Sequence, residues 1–283
     1  MDDFLVIGNP IEHSLSPVMQ NAALEILSGG ALHYGRHAIE LEELPEFVEY
    51  ARKNLRGFNI TVPFKQAIMP LLDEISPEAR LAHSVNTVMV EDGRLLGYST
   101  DGYGLSEAVK AAFRLEINGG SFMFLGCGGA VWATATYLAQ LGAKKIRLIN
   151  RTLANAQKLC DVLRQAFPDV ETDCAVTSDG AKISGWSADC QVVFQGSSLG
   201  LKAFDPPVID YNWLHNVACF DFIYHETPFL RYAASHNLPF SDGRDMLLYQ
   251  GARALSIWLK RDDIPIGAMR QALYGALDRQ TRN

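Results

Sequence analysis

Residues 121–150 read SFMFLGCGGAVWATATYLAQLGAKKIRLIN, and the order of residue types along this stretch decides the fold. Ser121–Leu125 is an apolar run of strand length, Gly126-Cys127-Gly128-Gly129-Ala130 is a glycine-rich turn, a helix-length segment follows to about Gln140, and Lys145–Ile149 reads as the next strand. Strand, glycine turn, helix and strand make the βαβ unit in which backbone amides and a helix N-terminus hold a pyrophosphate, because glycines let the phosphates approach without a clashing Cβ. The spacing is Gly126-x-Gly128, with Val131 where a third small residue usually stands, and glycine turns of this kind also arise for packing alone. The second strand end sharpens the reading. A NAD site places Asp or Glu about 20 residues on to bond the ribose 2′-hydroxyl, whereas this chain has Asn150-Arg151-Thr152. A guanidinium and a hydroxyl suit a 2′-phosphate, which favours NADP over NAD. The alternative is a solvated arginine at a strand end.

Outward from this unit, apolar runs alternate with helix-length amphipathic segments almost from end to end, the pattern of an α/β protein with a mostly parallel sheet. Towards the N-terminus, Phe4–Gly8 reads as a buried strand, and Ser16-Pro17 reads as a helix N-cap followed by proline at the first helical position, with the helix ended by Gly29-Gly30. Leu44–Lys53 reads as a helix and Gly57–Val62 as a strand stopped by Pro63. Val85–Val90 and Leu95–Tyr98 flank Asp92-Gly93, a hairpin and the one clear antiparallel feature. Towards the C-terminus come a helix over Leu153–Ala166, strands at Gln191–Phe194 and Cys219–Ile223, and two final helices, Met246–Lys260 and Ile264–Arg279.

The 283 residues carry 25 Lys+Arg against 32 Asp+Glu, a net charge of −7, with 48% hydrophobic residues. That is the composition of a globular chain of about two domains. An acidic balance without a basic run argues against nucleic acid or an anionic membrane as partner. No apolar stretch reaches the ~20 residues of a bilayer span, and Met1-Asp2-Asp3 is acidic where a signal peptide is basic, so a cytoplasmic location is expected. The five cysteines (Cys127, Cys160, Cys174, Cys190, Cys219) are widely spaced with no CxxC pair, and they read as reduced thiols with no metal site.

Polar clusters in the first hundred residues fall at expected strand ends and helix starts, where ligand sites of α/β folds gather. They are Ser14 and Ser16 in HSLSP, Asn59, Thr61 and Lys65 in GFNITVPFK, Asn86 and Thr87 opening the hairpin, and Asp101 after it. Helix capping accounts for Ser16 equally well, and alone Lys65 reads as a surface lysine and Asp101 as a helix cap.

The strings GNPIEHSLSP, FNITVPFK, SVNTV, STDGYG, GCGGA, NRT and DGRDMLLYQ occur in the same order as in shikimate dehydrogenases, and the chain resembles that family over nearly its whole length. The resemblance implies an NADP-dependent reduction of 3-dehydroshikimate to shikimate, with paralogues acting on quinate or an amino analogue as the alternative, and a non-catalytic nucleotide-binding homologue as a further one. It implies a substrate domain from residues 1–103 and 241–283, interrupted by a Rossmann-type NADP domain at 104–240, with the active site in the cleft between them, in a monomer or homodimer acting on a small molecule. Carried over position by position, it makes Lys65 and Asp101 the catalytic pair. Ser14, Ser16 and Thr61 would bind the substrate carboxylate, and Asn59, Asn86, Asp101, Tyr224 and Gln250 the rest of the substrate. Gly126, Gly128, Gly129, Ala130, Asn150, Arg151, Thr152 and Gly243 would hold the cofactor. Hydride transfer at a ring carbon requires a proton to move at that carbon's oxygen, which a positioned lysine can give or take.

Four departures stand out. His83-Ser84 replaces a glycine-alanine pair before Val-Asn-Thr, which would alter the pocket unless His83 is an exposed helix-end residue. The segment Asp221–Thr227 is short and lacks a proline. Val131-Trp132 replaces a small residue and an arginine, and Gln195-Gly196-Ser197 stands where Asn-x-Thr is usual.

Overall fold

The computed structural model describes residues 2–202 and 204–280. The first apolar run forms β1 (Phe4–Gly8), followed by α1 (Ser16–Ser28), β2 (Tyr34–Ala38), α2 (Leu44–Asn54), β3 (Gly57–Ile60), α3 (Phe64–Ala67), β4 (Glu74–Ile75), α4 (Pro77–Leu81), β5 (Thr87–Glu91), β6 (Arg94–Tyr98) and α5 (Asp101–Phe113). Next come β7 (Ser121–Leu125), α6 (Gly129–Gln140), β8 (Lys145–Asn150), α7 (Leu153–Ala166), β9 (Glu171–Val176), α8 (Gly180–Ser187), β10 (Val192–Gln195), β11 (Ala218–Asp221), α9 (Pro228–Ser235), β12 (Phe240–Ser241), α10 (Arg244–Leu259) and α11 (Ile266–Gln280). The chain divides into two compact units, one of Met1–Gly104 with Leu247–Asn283 and one of Leu105–Met246.

The first unit holds a six-stranded mixed sheet in the order β2-β1-β3-β5-β6-β4. β1 pairs parallel with β2 and β3, and the hairpin β5–β6 turns through Asp92 and Gly93 with φ of 51° and 73°. Those left-handed values match the turn that suits the twist of two strands. The hairpin is not the only antiparallel feature, because β3 also pairs antiparallel with β5. One face of the sheet packs on Phe47, Val48, Phe64 and Leu44. From the far end of the chain, the Trp258 indole of α10 donates from Nε1 to the Val88 carbonyl at 2.8 Å and stacks on Phe4 with centroids 4.8 Å apart. Gly57 makes room for that ring, since a Cβ there would stand 2.3 Å from Nε1. Gln20 of α1 likewise donates to the Gly251 carbonyl at 3.1 Å.

The second unit is an all-parallel sheet in the order β12-β11-β10-β7-β8-β9. Counted within the unit, that is the doubly wound order of dinucleotide-binding folds, whose switch point lies between β7 and β10. The central strands are apolar runs buried on both faces, as parallel sheets require. Phe124 and Phe194 meet across neighbouring strands with centroids 4.7 Å apart.

Two local expectations need correction. α1 begins at Ser16 itself, with Leu15 at the cap position and no side-chain cap; the Ser16 amide instead donates to Ser14 Oγ at 3.3 Å. β3 ends at Ile60, two residues before the expected Val62, although the Thr61 amide still donates to the Ile7 carbonyl at 2.9 Å. Among the described residues no helix is long and apolar enough to cross a membrane, and no group of His, Cys, Asp and Glu could hold a metal ion. Cys127 is half-buried and the other four cysteines are buried, all as thiols.

Candidate active site

Lys65 sits one residue into α3, whose first residue, Phe64, is driven fully into the core. Its backbone carbonyl accepts from the Val85 amide at 2.9 Å, which ties the lysine to the residue before Asn86. Its ammonium Nζ donates to Asp101 Oδ2 at 2.5 Å, with side chains 20% and 8% exposed. The other carboxylate oxygen accepts from Asn86 Nδ2 at 2.8 Å, and Asn86 Oδ1 accepts from the Thr100 amide at 2.8 Å, so the Asn86 amide has one orientation. Gln250 reaches the same point from α10, its Oε1 accepting from Asn86 Nδ2 at 3.3 Å. Sequence positions 65, 86, 101 and 250 thus meet in one partly buried polar cluster, with the lysine as its only cation among these four.

Asn59, expected to touch substrate, is a buried strut behind this cluster. Its Oδ1 accepts from the Tyr34 hydroxyl at 2.7 Å, and its Nδ2 donates to the Asn86 carbonyl at 3.0 Å and to Thr87 Oγ1 at 2.9 Å. Thr61 lies beside β1 at Gly8, where a Cβ would stand 2.4 Å from the threonine methyl. Ser14 borders a cavity of about 290 Å³ lined also by Glu12, His13, Arg36 and Arg279. Tyr34 escaped the sequence reading because β2 buries one side chain only, leaving no apolar run to notice.

In the second unit, Gly126 takes φ 103°, and a Cβ there would meet the Ser197 backbone at 3.0 Å. Gly128 and Gly129 face open space instead, where a Cβ would have no neighbour within 4 Å. α6 starts there with no side-chain cap and no acidic residue in its first turn, which leaves amides and a positive dipole end for an anion. Ala130 is half-buried beside them, and burial pushes the Cys127 thiol up to about 12, so it stays protonated. At the end of β8, Asn150 Nδ2 closes the turn on the Thr152 carbonyl at 2.9 Å. Arg151 and Thr152 are exposed, and Arg151 forms no ion pair or side-chain hydrogen bond among the described residues.

The departures acquire physical reasons. Val131 is fully buried, and a Cβ at Gly196 would stand 2.4 Å from its methyl, so the larger residue at 131 is matched by the absence of one at 196. Gln195 is buried and staples its own turn, accepting from the Ser197 amide and hydroxyl, both at 2.9 Å. The short segment after β11 is closed by Asp221, which accepts from the Ile223 amide at 3.0 Å and the Thr227 hydroxyl at 2.7 Å while burial pushes its carboxyl up to about 6. Gly243 clamps the same segment, because a Cβ there would stand 2.1 Å from the Phe222 carbonyl oxygen. Tyr224 is half-buried within it.

His83 is exposed after α4 with φ 46°, and the Ser84 hydroxyl is fully buried without a hydrogen-bond partner. A left-handed backbone favours glycine and a dry enclosed spot favours an apolar side chain. The double substitution His83→Gly, Ser84→Ala is therefore expected to raise stability by about 1–2 kcal/mol, read as a higher urea midpoint; an unchanged or lower midpoint would show that contacts of the removed side chains offset the gain.

Comparison with known proteins places these features in a family. The profile of the shikimate dehydrogenase substrate binding domain matches residues 6–88, and that of the shikimate 5′-dehydrogenase C-terminal domain matches residues 243–274. The chain is 36% identical over 261 residues to a shikimate dehydrogenase (NADP(+)) of Magnetococcus marinus, covering 89% of each protein. Among solved structures it is similar to shikimate 5-dehydrogenase of Listeria monocytogenes in complex with shikimate and NAD, with a TM-score of 0.89, 31% identity and 96% of each chain covered. The shikimate 5-dehydrogenase of Thermus thermophilus in complex with NADP(H) and shikimate gives a TM-score of 0.84 at 31% identity, covering 98% of this chain and 100% of that one.

Proposed function

The chain belongs to the shikimate dehydrogenase family, and from that membership we propose that it interconverts 3-dehydroshikimate and shikimate with NADP(H), as a cytoplasmic monomer or homodimer acting on a small molecule. The observation that carries this reading is the Lys65–Asp101 pair, held at 2.5 Å and oriented by Asn86.

The second unit fits the cofactor. Gly128, Gly129 and the first amides of α6 would hold the pyrophosphate, and Arg151 with Thr152 the 2′-phosphate. When bound, NADPH supplies the hydride. The substrate is held and the proton moved by side chains. Ser14, Ser16 and Thr61 hydroxyls donate to the substrate carboxylate, while Asn86 and Gln250 hold ring hydroxyls. The Lys65 ammonium gives a proton to the carbonyl oxygen as that oxygen becomes a hydroxyl, and Nζ takes it back in the reverse direction. Asp101 fixes the direction of the ammonium.

The test is a steady-state comparison of shikimate and quinate, each with NADP and NAD, in the wild type and in Arg151→Ala. Quinate adds a hydroxyl at the carboxylate-bearing carbon, and exclusion by shape gives about 10²-fold preference for shikimate in kcat/KM. Losing a charge-assisted contact in Arg151→Ala raises KM for NADP by roughly 10- to 100-fold and leaves NAD nearly unchanged. Equal use of quinate overturns the substrate, and equal effects on both cofactors return Arg151 to a structural role.

A further inference from the structure

Thr87 opens β5 with its side chain fully enclosed, and the register sets it opposite Asn59 of β3 on one side and Tyr98 of β6 on the other. A hydroxyl sealed from water needs partners, and a β-branched side chain has little freedom at χ1 with which to reach others. Counting protons gives each bond its direction. Asn59 Oδ1 accepts from the Tyr34 hydroxyl, so Nδ2 is the donor, and its two protons go to the Asn86 carbonyl at 3.0 Å and to Thr87 Oγ1 at 2.9 Å. Thr87 therefore receives one proton and has one to give. The nearer acceptor is Asn86 Oδ1 at 3.2 Å; the other, Thr100 Oγ1 at 3.3 Å, is already supplied by Asn86 Nδ2 at 3.0 Å. Asn86 Nδ2 also donates to Asp101 Oδ1 at 2.8 Å, while Lys65 holds Oδ2. Donors thus follow one another from Tyr34 through Asn59, Thr87 and Asn86 to the carboxylate.

We propose that Thr87 is a positioning residue that pins the Asn86 amide, so that Asp101 Oδ1 stays occupied and Oδ2 faces the Lys65 ammonium. This rests on the reading that Lys65 moves the proton. Asn86 Oδ1 is held by two donors, the Thr100 backbone amide at 2.8 Å and the Thr87 hydroxyl. Without the hydroxyl the amide keeps one anchor and swings about it, and the carboxylate bonded to Nδ2 follows. Thr87 is fully enclosed, so it acts on the pair only through Asn86.

The experiment compares Thr87→Val, which keeps the branched shape without the hydroxyl, with Thr87→Ser, which keeps the hydroxyl without the methyl. Thr87→Val is repeated in an Asn86→Ala background, and kcat, both KM values and the urea midpoint are read throughout. Thr87→Val is expected to lower kcat roughly 5- to 10-fold with KM for NADP unchanged, the effect of one lost hydrogen bond, and Thr87→Ser to stay within about twofold of wild type. In the Asn86→Ala background Thr87→Val should lower kcat no further. An equal loss in Thr87→Ser overturns the proposal, as does an undiminished effect in the Asn86→Ala background or a lowered urea midpoint with kcat unchanged. Should Thr87→Val not fold, Thr87→Ala set against Thr87→Ser makes the same comparison. Substantial turnover in Lys65→Met removes the reading beneath the proposal, whereas wild-type kcat in Asn86→Ala leaves that reading standing and overturns the positioning role alone.

Discussion

Lys65→Met is expected to lower kcat by at least ~10²-fold while KM for NADP stays within about twofold of wild type. Methionine keeps the unbranched stem and the backbone bond between the Lys65 carbonyl and Val85, so the loss falls on the proton that Nζ moves. Asp101 would lose its ammonium and retain only the Asn86 amide, in a position where its side chain is 8% exposed. A partly buried carboxylate deprived of its cation costs stability as well, on the order of 1–3 kcal/mol, so the urea midpoint should fall. The two readouts separate the roles: substantial turnover in the variant would remove Lys65 from the chemistry, whereas a fall in stability with full activity would make the pair structural.

The second large effect is on folding. Trp258→Ala is expected to destabilise the first unit by about 3–5 kcal/mol, the range for emptying a large aromatic site. The variant loses the stacking on Phe4, and the Val88 carbonyl loses its buried donor. Gln250 stands two turns earlier on the same helix, so loosening α10 also frees the side chain that meets Asn86. The chain has four tryptophans, and the other three, Trp132, Trp186 and Trp213, lie in the second unit. Urea unfolding followed by circular dichroism should therefore show an early transition in the variant, while fluorescence of the remaining tryptophans reports the second unit at its wild-type midpoint. An unshifted dichroism curve would show that the indole adds little. Trp258→Phe, which keeps a ring but not the N–H, should lose about 1–2 kcal/mol.

What the chain made legible beforehand depended on burial. Strands buried on both faces, such as Ser121–Leu125 and Val192–Gln195, carry apolar runs that announce themselves, and the turn residues Asp92-Gly93 name their own conformation. Edge strands do not. Tyr34–Ala38 and Glu171–Val176 are held by their ladders rather than by burial, so their side chains alternate without a recognisable pattern. The site followed the same division. Lys65, Asn86, Asp101 and Gln250 could be named from local strings, but nothing local shows that Asn59 is a strut. That role comes from its bonds to Asn86 and Thr87 and from the proton that Tyr34, on an unrecognised strand, spends there. Gln195 and Val131 looked like losses in a binding pattern, and each is explained by a neighbour distant in sequence or by its own turn.

The first unit is closed by residues that are made long after its sheet. Val88 and Trp258 are 170 positions apart, and all of Leu105–Met246 is synthesised between the sheet and the helices that cover it. At a synthesis rate of ~5–20 residues per second, the nascent sheet waits roughly ten to thirty seconds on the ribosome before α10 emerges. During that interval Phe4 and the groove at Gly57 lie open to solvent, a site for chaperones and for wrong partners alike. The interrupting unit, contiguous in sequence, folds in the meantime. By holding residues 105 and 246 in a folded body, it replaces a long flexible loop with a fixed span and spares the late helices most of the entropy of finding the sheet.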